Sequence, residues 1–330
     1  MIASVLGEPI EVAGGGPTGT APAPAAGGWS RVRAELHRHG SALLHGRLAD
    51  WRPRDEADPA LRAVLGRDWD RYRGIEHPDI RGRYAASRLL LKHAAAGALS
   101  ADPADLELTY GPTGRPYLRG CDQIDISLSH TDDLLLVGLT TRGLIGVDAE
   151  LAGRQLYRPG LDRHICTPQE RRDLAALDEA DRNPSLVRLW TLKEAYSKAI
   201  GQGMQFRFTE FGFGPDGRPT QVLRPDGTPG AGDEWSFRTY TLHSGGGSGA
   251  GGSSDGGGST GGGGGTAFCV SAAVYDAGFG RMLDTEITSM LDAEAVEAIH
   301  LALAGAGPPT AAPTAAVGAG ADVSGPRPPW

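Results

Sequence analysis

Cysteine is scarce. Cys121, Cys166 and Cys269 are the only three in 330 residues, far apart and without a CxxC spacing. That excludes a disulfide framework and a zinc ribbon, and it suits a reducing cytoplasm. Long apolar runs are missing too: the longest, such as Leu134 to Leu139, fall far short of the roughly 20 residues a bilayer span needs. The first 28 residues carry no Lys or Arg and no apolar block, so they do not read as a signal peptide. Basic residues number 32 against 40 acidic, a net charge of −8, which argues against a general nucleic-acid coat and leaves room for a local basic pocket. No HExxH, no GxxxxGK[ST] loop and no GxSxG elbow between a strand and a helix occurs.

Glycine and proline are abundant instead, 50 and 23 residues. They concentrate in residues 1–28, in 244–265, where 14 Gly and 5 Ser occur, and in 304–330. Such composition buries too little apolar surface to offset the entropy of ordering, so two disordered tails and one flexible loop are expected. Roughly 250 residues remain, enough for one large domain or two lobes with real cores.

Trp29 to Trp69 mixes apolar and charged residues with proline breaks and predicts short strands and turns. From Asp79 to Leu99, apolar and small residues recur at helical spacing with Arg83, Arg88 and Lys92 between them, which predicts an amphipathic helix with one basic face. Leu106 to Tyr110, Ile124 to Leu128, Leu134 to Leu139 and Gly143 to Glu150 read as strands, the middle two as a hairpin joined by the polar residues 129–133. Thr167 and Pro168 predict a cap and helix start for residues 168–182, and a second helix runs from about Pro184 to Ile200 and stops at Gly201. Strands follow at Gln205 to Phe213, Glu234 to Leu242 and Ala267 to Tyr275, and a last helix at Asp292 to Leu303. Each half thus offers a few strands and one or two long helices, an α+β organisation of two similar lobes.

Three groups of residues carry chemistry. Asp148 and Glu150 stand two apart on a strand and so face the same way; such a pair suits Mg²⁺, although two acids closing a surface strand are more often simply solvated. Trp190, Glu194 and Lys198 form one stripe at i, i+4 and i+8 of a helix, readable as functional or as a core tryptophan beside an ordinary ion pair. Ser129 and His130, with Arg115 upstream and Arg83 and Arg88 on the basic helical face, are the donor types that a polyphosphate needs. Taken singly, they also read as a turn serine, a loop histidine and solvated arginines.

In order and spacing, GRPYL at 114–118, SLSH at 127–130, GVDAE at 146–150 and WTLKEAYSKAIGQG at 190–203 resemble the signature of the 4′-phosphopantetheinyl transferases of the Sfp type. The resemblance implies two related α+β lobes, a pseudo-dimeric fold with the active site in the cleft between them. By this reading the N-terminal lobe spans 29–143 and the C-terminal lobe 144–303. It implies transfer of the 4′-phosphopantetheine arm of coenzyme A to a serine of an apo acyl or peptidyl carrier protein, with release of adenosine 3′,5′-bisphosphate, for polyketide or nonribosomal peptide synthesis. Asp148, Glu150 and Glu194 then resemble the Mg²⁺ carboxylates, and Glu194 and Lys198 the catalytic pair. Arg115, Ser129 and His130 resemble coenzyme A phosphate contacts, joined by Arg83, Arg88 and Lys198. Ala149 and Cys166 depart from the usual pattern without removing a ligand. A Mg²⁺-dependent phosphodiesterase or nuclease, and a non-catalytic coenzyme A-binding module, are the competing readings. A cytoplasmic monomer that contacts neither nucleic acid nor membrane is expected, with the Arg-rich stretch 152–164 facing the carrier.

Overall fold

The computed structural model describes residues 5–14, 28–202, 206–214, 222–230, 234–244 and 265–278. All lie in the compact unit Met1–Arg281, whereas the second unit, Met282–Trp330, lies outside the described residues. So do most of the Gly/Ser run, the helix expected at Asp292 to Leu303 and the C-terminal run.

The first half holds strand β1 (Ile10–Glu11), helix α1 (Gly28–His39), strand β2 (Ser41–Arg47) and three short helices, α2 (Leu48–Trp51), α3 (Pro59–Leu65) and α4 (Asp68–Arg73). The short strands and turns expected from Trp29 to Trp69 are therefore mostly helix. Asp58 starts α3 by accepting the Ala60 N–H at 2.8 Å, with Pro59 in the first turn, where a missing N–H costs nothing. Helix α5 (Pro78–Leu99) falls where the periodicity puts it. Strands β3 (Leu108–Tyr110) and β4 (Pro116–Leu118) pair around the GPTGR turn, and β5 (Asp125–Thr131) and β6 (Leu134–Thr140) form the expected hairpin. Its connection is tighter than expected. Ser129, His130 and Thr131 belong to β5, and Asp132 makes the turn with φ of 49°, a left-handed value that aspartate tolerates better than most residues.

β1, β2, β6 and β5 lie in that order in one sheet. Every residue of β6 is buried because both faces are covered. Leu135, Val137 and Leu139 pack in the cluster that includes α5, while Leu134 and Leu136 pack against the second sheet. An uninterrupted apolar run is what such a strand requires.

Strand β7 (Gly143–Leu151) opens the second half. Helices α6 (Asp162–Ile165), α7 (Pro168–Ala176) and α8 (Glu179–Ala199) follow, then β8 (Trp235–His243) and β9 (Ala267–Asp276), and the second sheet has the order β7-β9-β8. Thr167 and Glu170 form the capping box of α7. The helix stops at Ala176 rather than residue 182, where Arg182 donates to the Leu177 and Ala175 carbonyls. Helix α8 begins at Glu179, ahead of Pro184. The strand expected at Gln205 to Phe213 is instead a 3₁₀ turn, Phe208–Glu210, followed by one bridge from Gly212 to Leu223; Gln205 itself lies outside the described residues.

The two sheets meet along β5 and β7 through side chains. Asp125 Oδ2 accepts from Ile145 N at 2.7 Å, Ser127 Oγ from Val147 N at 3.1 Å, and Ser129 Oγ from Ala149 N at 3.3 Å. Alternate residues of β5 thus satisfy alternate N–H groups on the free edge of β7, which keeps a buried strand edge from going unpaired. No helix among the described residues is long and apolar enough to cross a membrane.

Candidate active site

The site forms where β5, β7 and α8 converge. Gly146 allows the approach: a Cβ there would run into the Ala195 carbonyl oxygen and lie 2.5 Å from Ala199 N. With no side chain between them, α8 lies directly on β7, and its Glu194 and Lys198 come level with Asp148. Asp148, Glu150 and Glu194 are all buried, at 6%, 7% and 8% exposure, so none is a solvated surface acid.

Asp148 Oδ1 accepts from Ser129 Oγ at 2.8 Å and from Lys198 Nζ at 2.7 Å. Glu150 accepts from Thr131 Oγ1 at 3.2 Å and from Leu151 N at 2.9 Å, and it pairs with Arg154 Nη1. Burial pushes the Glu194 carboxyl up to about 7; the Asp148 charge adds to this and Lys198 opposes it. A carboxyl poised there exchanges its proton near neutral pH, as a general base must.

Beside the acids lies a cluster of positive charge. His130 keeps an accessible face, yet the crowding of its ring by protein, followed by the charges of Lys198, Arg83 and Arg88, pushes it down to about 4. The imidazole is therefore neutral at physiological pH, a hydrogen-bonding group among three cations. The structure thus brings His130, Lys198, Arg83 and Arg88 together from β5, α8 and α5.

Arg115 does something else. Its Nε donates to Lys198 O at 2.8 Å, Nη1 and Nη2 fork onto the two Asp125 oxygens at 2.9 and 2.5 Å, and Nη2 also reaches Ile145 O at 3.1 Å. Thr113, in the same turn, donates to Gly201 O at 2.7 Å. The GPTGRP turn therefore closes the carbonyl end of α8, where a cation complements the helix dipole. Ser129 is likewise engaged by protein partners.

Residues 144–244 match the model of the 4′-phosphopantetheinyl transferase superfamily. A phosphopantetheinyl transferase of Thraustochytrium sp. is 34% identical over 175 residues, covering 48% of this chain and 60% of that protein. A relative from Synechocystis sp. is 32% identical over 149 residues, 44% of this chain and 61% of its own length. A 4′-phosphopantetheinyl transferase of Bacillus subtilis is 24% identical over 159 residues, 47% of this chain and 68% of the relative. Over these segments the chain is similar to 4′-phosphopantetheinyl transferases. It spans less than two thirds of the Thraustochytrium and Synechocystis relatives.

The resemblance to that superfamily implies a divalent cation. Among the described residues no three His, Cys, Asp or Glu side chains converge closely enough to hold one. Asp148, Glu150 and Glu194 therefore do not form the closed cluster that was expected. Lys198 neutralises Asp148, and Arg154 with Thr131 occupies Glu150. The donor chemistry nevertheless fits Mg²⁺, which takes one or two carboxylates and leaves its remaining positions to water and phosphate. Asp148 and Glu194 are such a pair: both are buried, and the Asp148 charge reaches Glu194.

Two features of the superfamily segment escaped the sequence reading. Lys193, wholly buried, donates to Glu170 Oε2 at 2.7 Å and to the Phe208 and Phe211 carbonyls, each at 2.6 Å, so its three N–H bonds are all used. Glu170 serves at once as that partner, as capping residue for Thr167 N and as acceptor for Phe213 N. Arg154, within the Arg-rich stretch, pairs with Glu150, and its position four residues after that acid is the sequence signal for the pair.

Proposed function

We propose that the chain transfers the 4′-phosphopantetheine arm of coenzyme A to a serine of an apo acyl or peptidyl carrier protein, as an Sfp-type enzyme with Mg²⁺. The observation that carries the reading is the pairing of buried Asp148 and Glu194 with Lys198, next to the cations around His130. Acids to hold a cation and bases to hold phosphate, side by side, suit a pyrophosphate better than any neutral substrate. The halves 29–143 and 144–303 are read as two related lobes, with the substrate lying where β5 and β7 meet.

Asp148 and Glu194 would hold the Mg²⁺, with Glu150 available once Arg154 withdraws. Bound there, Mg²⁺ supplies charge neutralisation and Lewis-acid polarisation of phosphate oxygens. The serine Oγ forms a bond to the β-phosphorus of coenzyme A while the bond from that phosphorus to the bridging oxygen breaks. The serine proton goes to Glu194, directly or through a water. Lys198 donates to the departing adenosine 3′,5′-bisphosphate, and Arg83, Arg88 and neutral His130 orient the phosphates.

The carrier, read as a protein of net negative charge, would meet the segment after β7, where Arg154, Tyr157 and Arg158 are exposed and Leu156 is buried as the anchor. Polyketide and nonribosomal peptide carriers are the expected partners.

The test incubates the full chain with coenzyme A, Mg²⁺ and a panel of apo carrier domains, and reads carrier mass. A gain of one phosphopantetheine supports the proposal. Coenzyme A binding with no carrier modified favours a non-catalytic module, and cleavage of a phosphodiester without coenzyme A favours a phosphodiesterase.

A further inference from the structure

Asp68 is a second buried carboxylate, 5% exposed, on α4 and distinct from the acids on β7 and α8. Both its oxygens are taken by phenols: Tyr84 Oη donates to Oδ1 at 2.7 Å and Tyr110 Oη to Oδ2 at 2.8 Å. Burial pushes both phenols up, so they stay protonated and act as donors toward Asp68. A phenol has one proton. With it committed, Tyr110 Oη can only accept from its other side, and it accepts Arg88 Nε at 3.3 Å.

The same guanidinium is fixed twice more. Arg88 Cζ sits 4.1 Å from the centroid of the Tyr84 ring, a cation–π distance, and Nη1 donates to Ser87 Oγ at 3.0 Å. Ser87 is itself fixed by donating to Tyr84 O at 2.8 Å. These contacts use one face and part of the edge of Arg88. Nη2 makes no hydrogen bond among the described residues, and the charge lies close enough to His130 to depress it.

We propose that Asp68 is a positioning residue: acting through Tyr84 and Tyr110, it fixes the Arg88 guanidinium so that its unused donors receive a phosphate of coenzyme A. This rests on the transferase reading above. An arginine held in place before the ligand arrives loses little side-chain freedom on binding. Asparagine is an imperfect replacement, because its NH₂ cannot accept from a phenol: that phenol must turn and accept instead, which removes one of the two charge-assisted bonds on which the orientation depends.

The test measures coenzyme A binding to the full chain by titration calorimetry for the wild type, D68N, Y110F, R88A, and the D68N/R88A and Y110F/R88A doubles. D68N and Y110F should each weaken binding about tenfold, the scale of one hydrogen bond to a charged group. Each double should bind within about twofold of R88A alone, since the two residues act through Arg88. A purely structural role would not produce that saturation. Losses that multiply in the doubles, or wild-type affinity in Y110F, overturn the proposal. Where D68N fails to fold, the Y110F pair decides. Repeating the series with dephospho-coenzyme A separates the phosphates: loss of the Y110F effect assigns Arg88 to the 3′-phosphate, and its persistence to the pyrophosphate, either in support. A wild type that binds no coenzyme A overturns the transferase reading itself, a result distinct from a wild type that binds while the doubles multiply.

Discussion

Lys198 Nζ lies 2.7 Å from Asp148 Oδ1, and Ser129 Oγ donates to the same oxygen at 2.8 Å. One carboxylate oxygen thus joins α8, β7 and β5. The lysine also acts on Glu194, one turn earlier on the same helix, by favouring its ionised form. The balance of charge on the acids is therefore set within the chain before any ligand arrives.

Removing that cation should raise the Glu194 titration above about 7. In Lys198→Met the burial and the Asp148 charge remain and the opposing influence is gone. Carbon-13 NMR of the Glu194 carboxyl through a pH series reads this directly. An unchanged midpoint would mean that the ion pair does not govern the group.

Glu194 also makes stability depend on pH. Its folded value of about 7 lies above the ordinary carboxyl value of 4.5, so the folded chain binds more protons between the two. Below the lower value both states are protonated and nothing is lost. As pH rises toward the upper value, stability falls by on the order of 3 kcal/mol, and the loss then stays constant. Glu194→Gln has no carboxylate to ionise, so its stability relative to wild type should be greater at pH 8 than at pH 4. Urea denaturation at both values tests this; an equal difference at both would refute it.

The acids and Lys198 were legible because strand and helix periods place them on common faces with no knowledge of the rest of the chain. Other parts were hidden for physical reasons. Helices α2, α3 and α4 have 4, 7 and 6 residues, too short for a periodic stripe to emerge. Arg115 looks like a phosphate ligand by its motif, yet one of its acceptors is Lys198 O, 83 positions away. Lys193 stands beside Glu194 in the sequence and looks equally polar, but its partners come from α7 and from the turn at 208–211.

The close approach of α8 to β7 predicts unequal behaviour for two glycines. Gly146→Ala drives a methyl into the Ala195 carbonyl, a backbone group with little freedom to move, and should cost about 3 kcal/mol and most of the proposed transfer activity. Gly153→Ala meets nothing within 4 Å and should leave the melting temperature nearly unchanged. Thermal unfolding of both variants compares them; similar melting temperatures would show that the contact is not tight.

Lys193 and Glu170 form a buried pair, at 0% and 3% side-chain exposure. Lys193→Met leaves a carboxylate without its cation in a site closed to water and should destabilise the fold by about 3–5 kcal/mol. Adding Glu170→Gln removes the orphaned charge, so the double variant should recover part of that loss. A double-mutant cycle in urea that shows simple additivity would contradict the coupling.

Arg115 provides the sharpest division between holding the protein and holding the substrate. Lysine keeps the charge but lacks the fork that reaches Asp125, Ile145 O and Lys198 O together. If Arg115 clamps the end of α8, Arg115→Lys should speed amide exchange at Ile200, Gly201 and Gln202, whose N–H groups bond back to Tyr196, Lys198 and Ser197. The affinity for coenzyme A should persist, because the cations around His130 are untouched. If Arg115 instead grips a phosphate, the same variant should leave exchange at the helix end unaltered and lower the affinity for coenzyme A selectively. Hydrogen-exchange mass spectrometry and calorimetry on one protein preparation give the two readouts together, and the clamp is refuted if protection at residues 200–202 matches wild type.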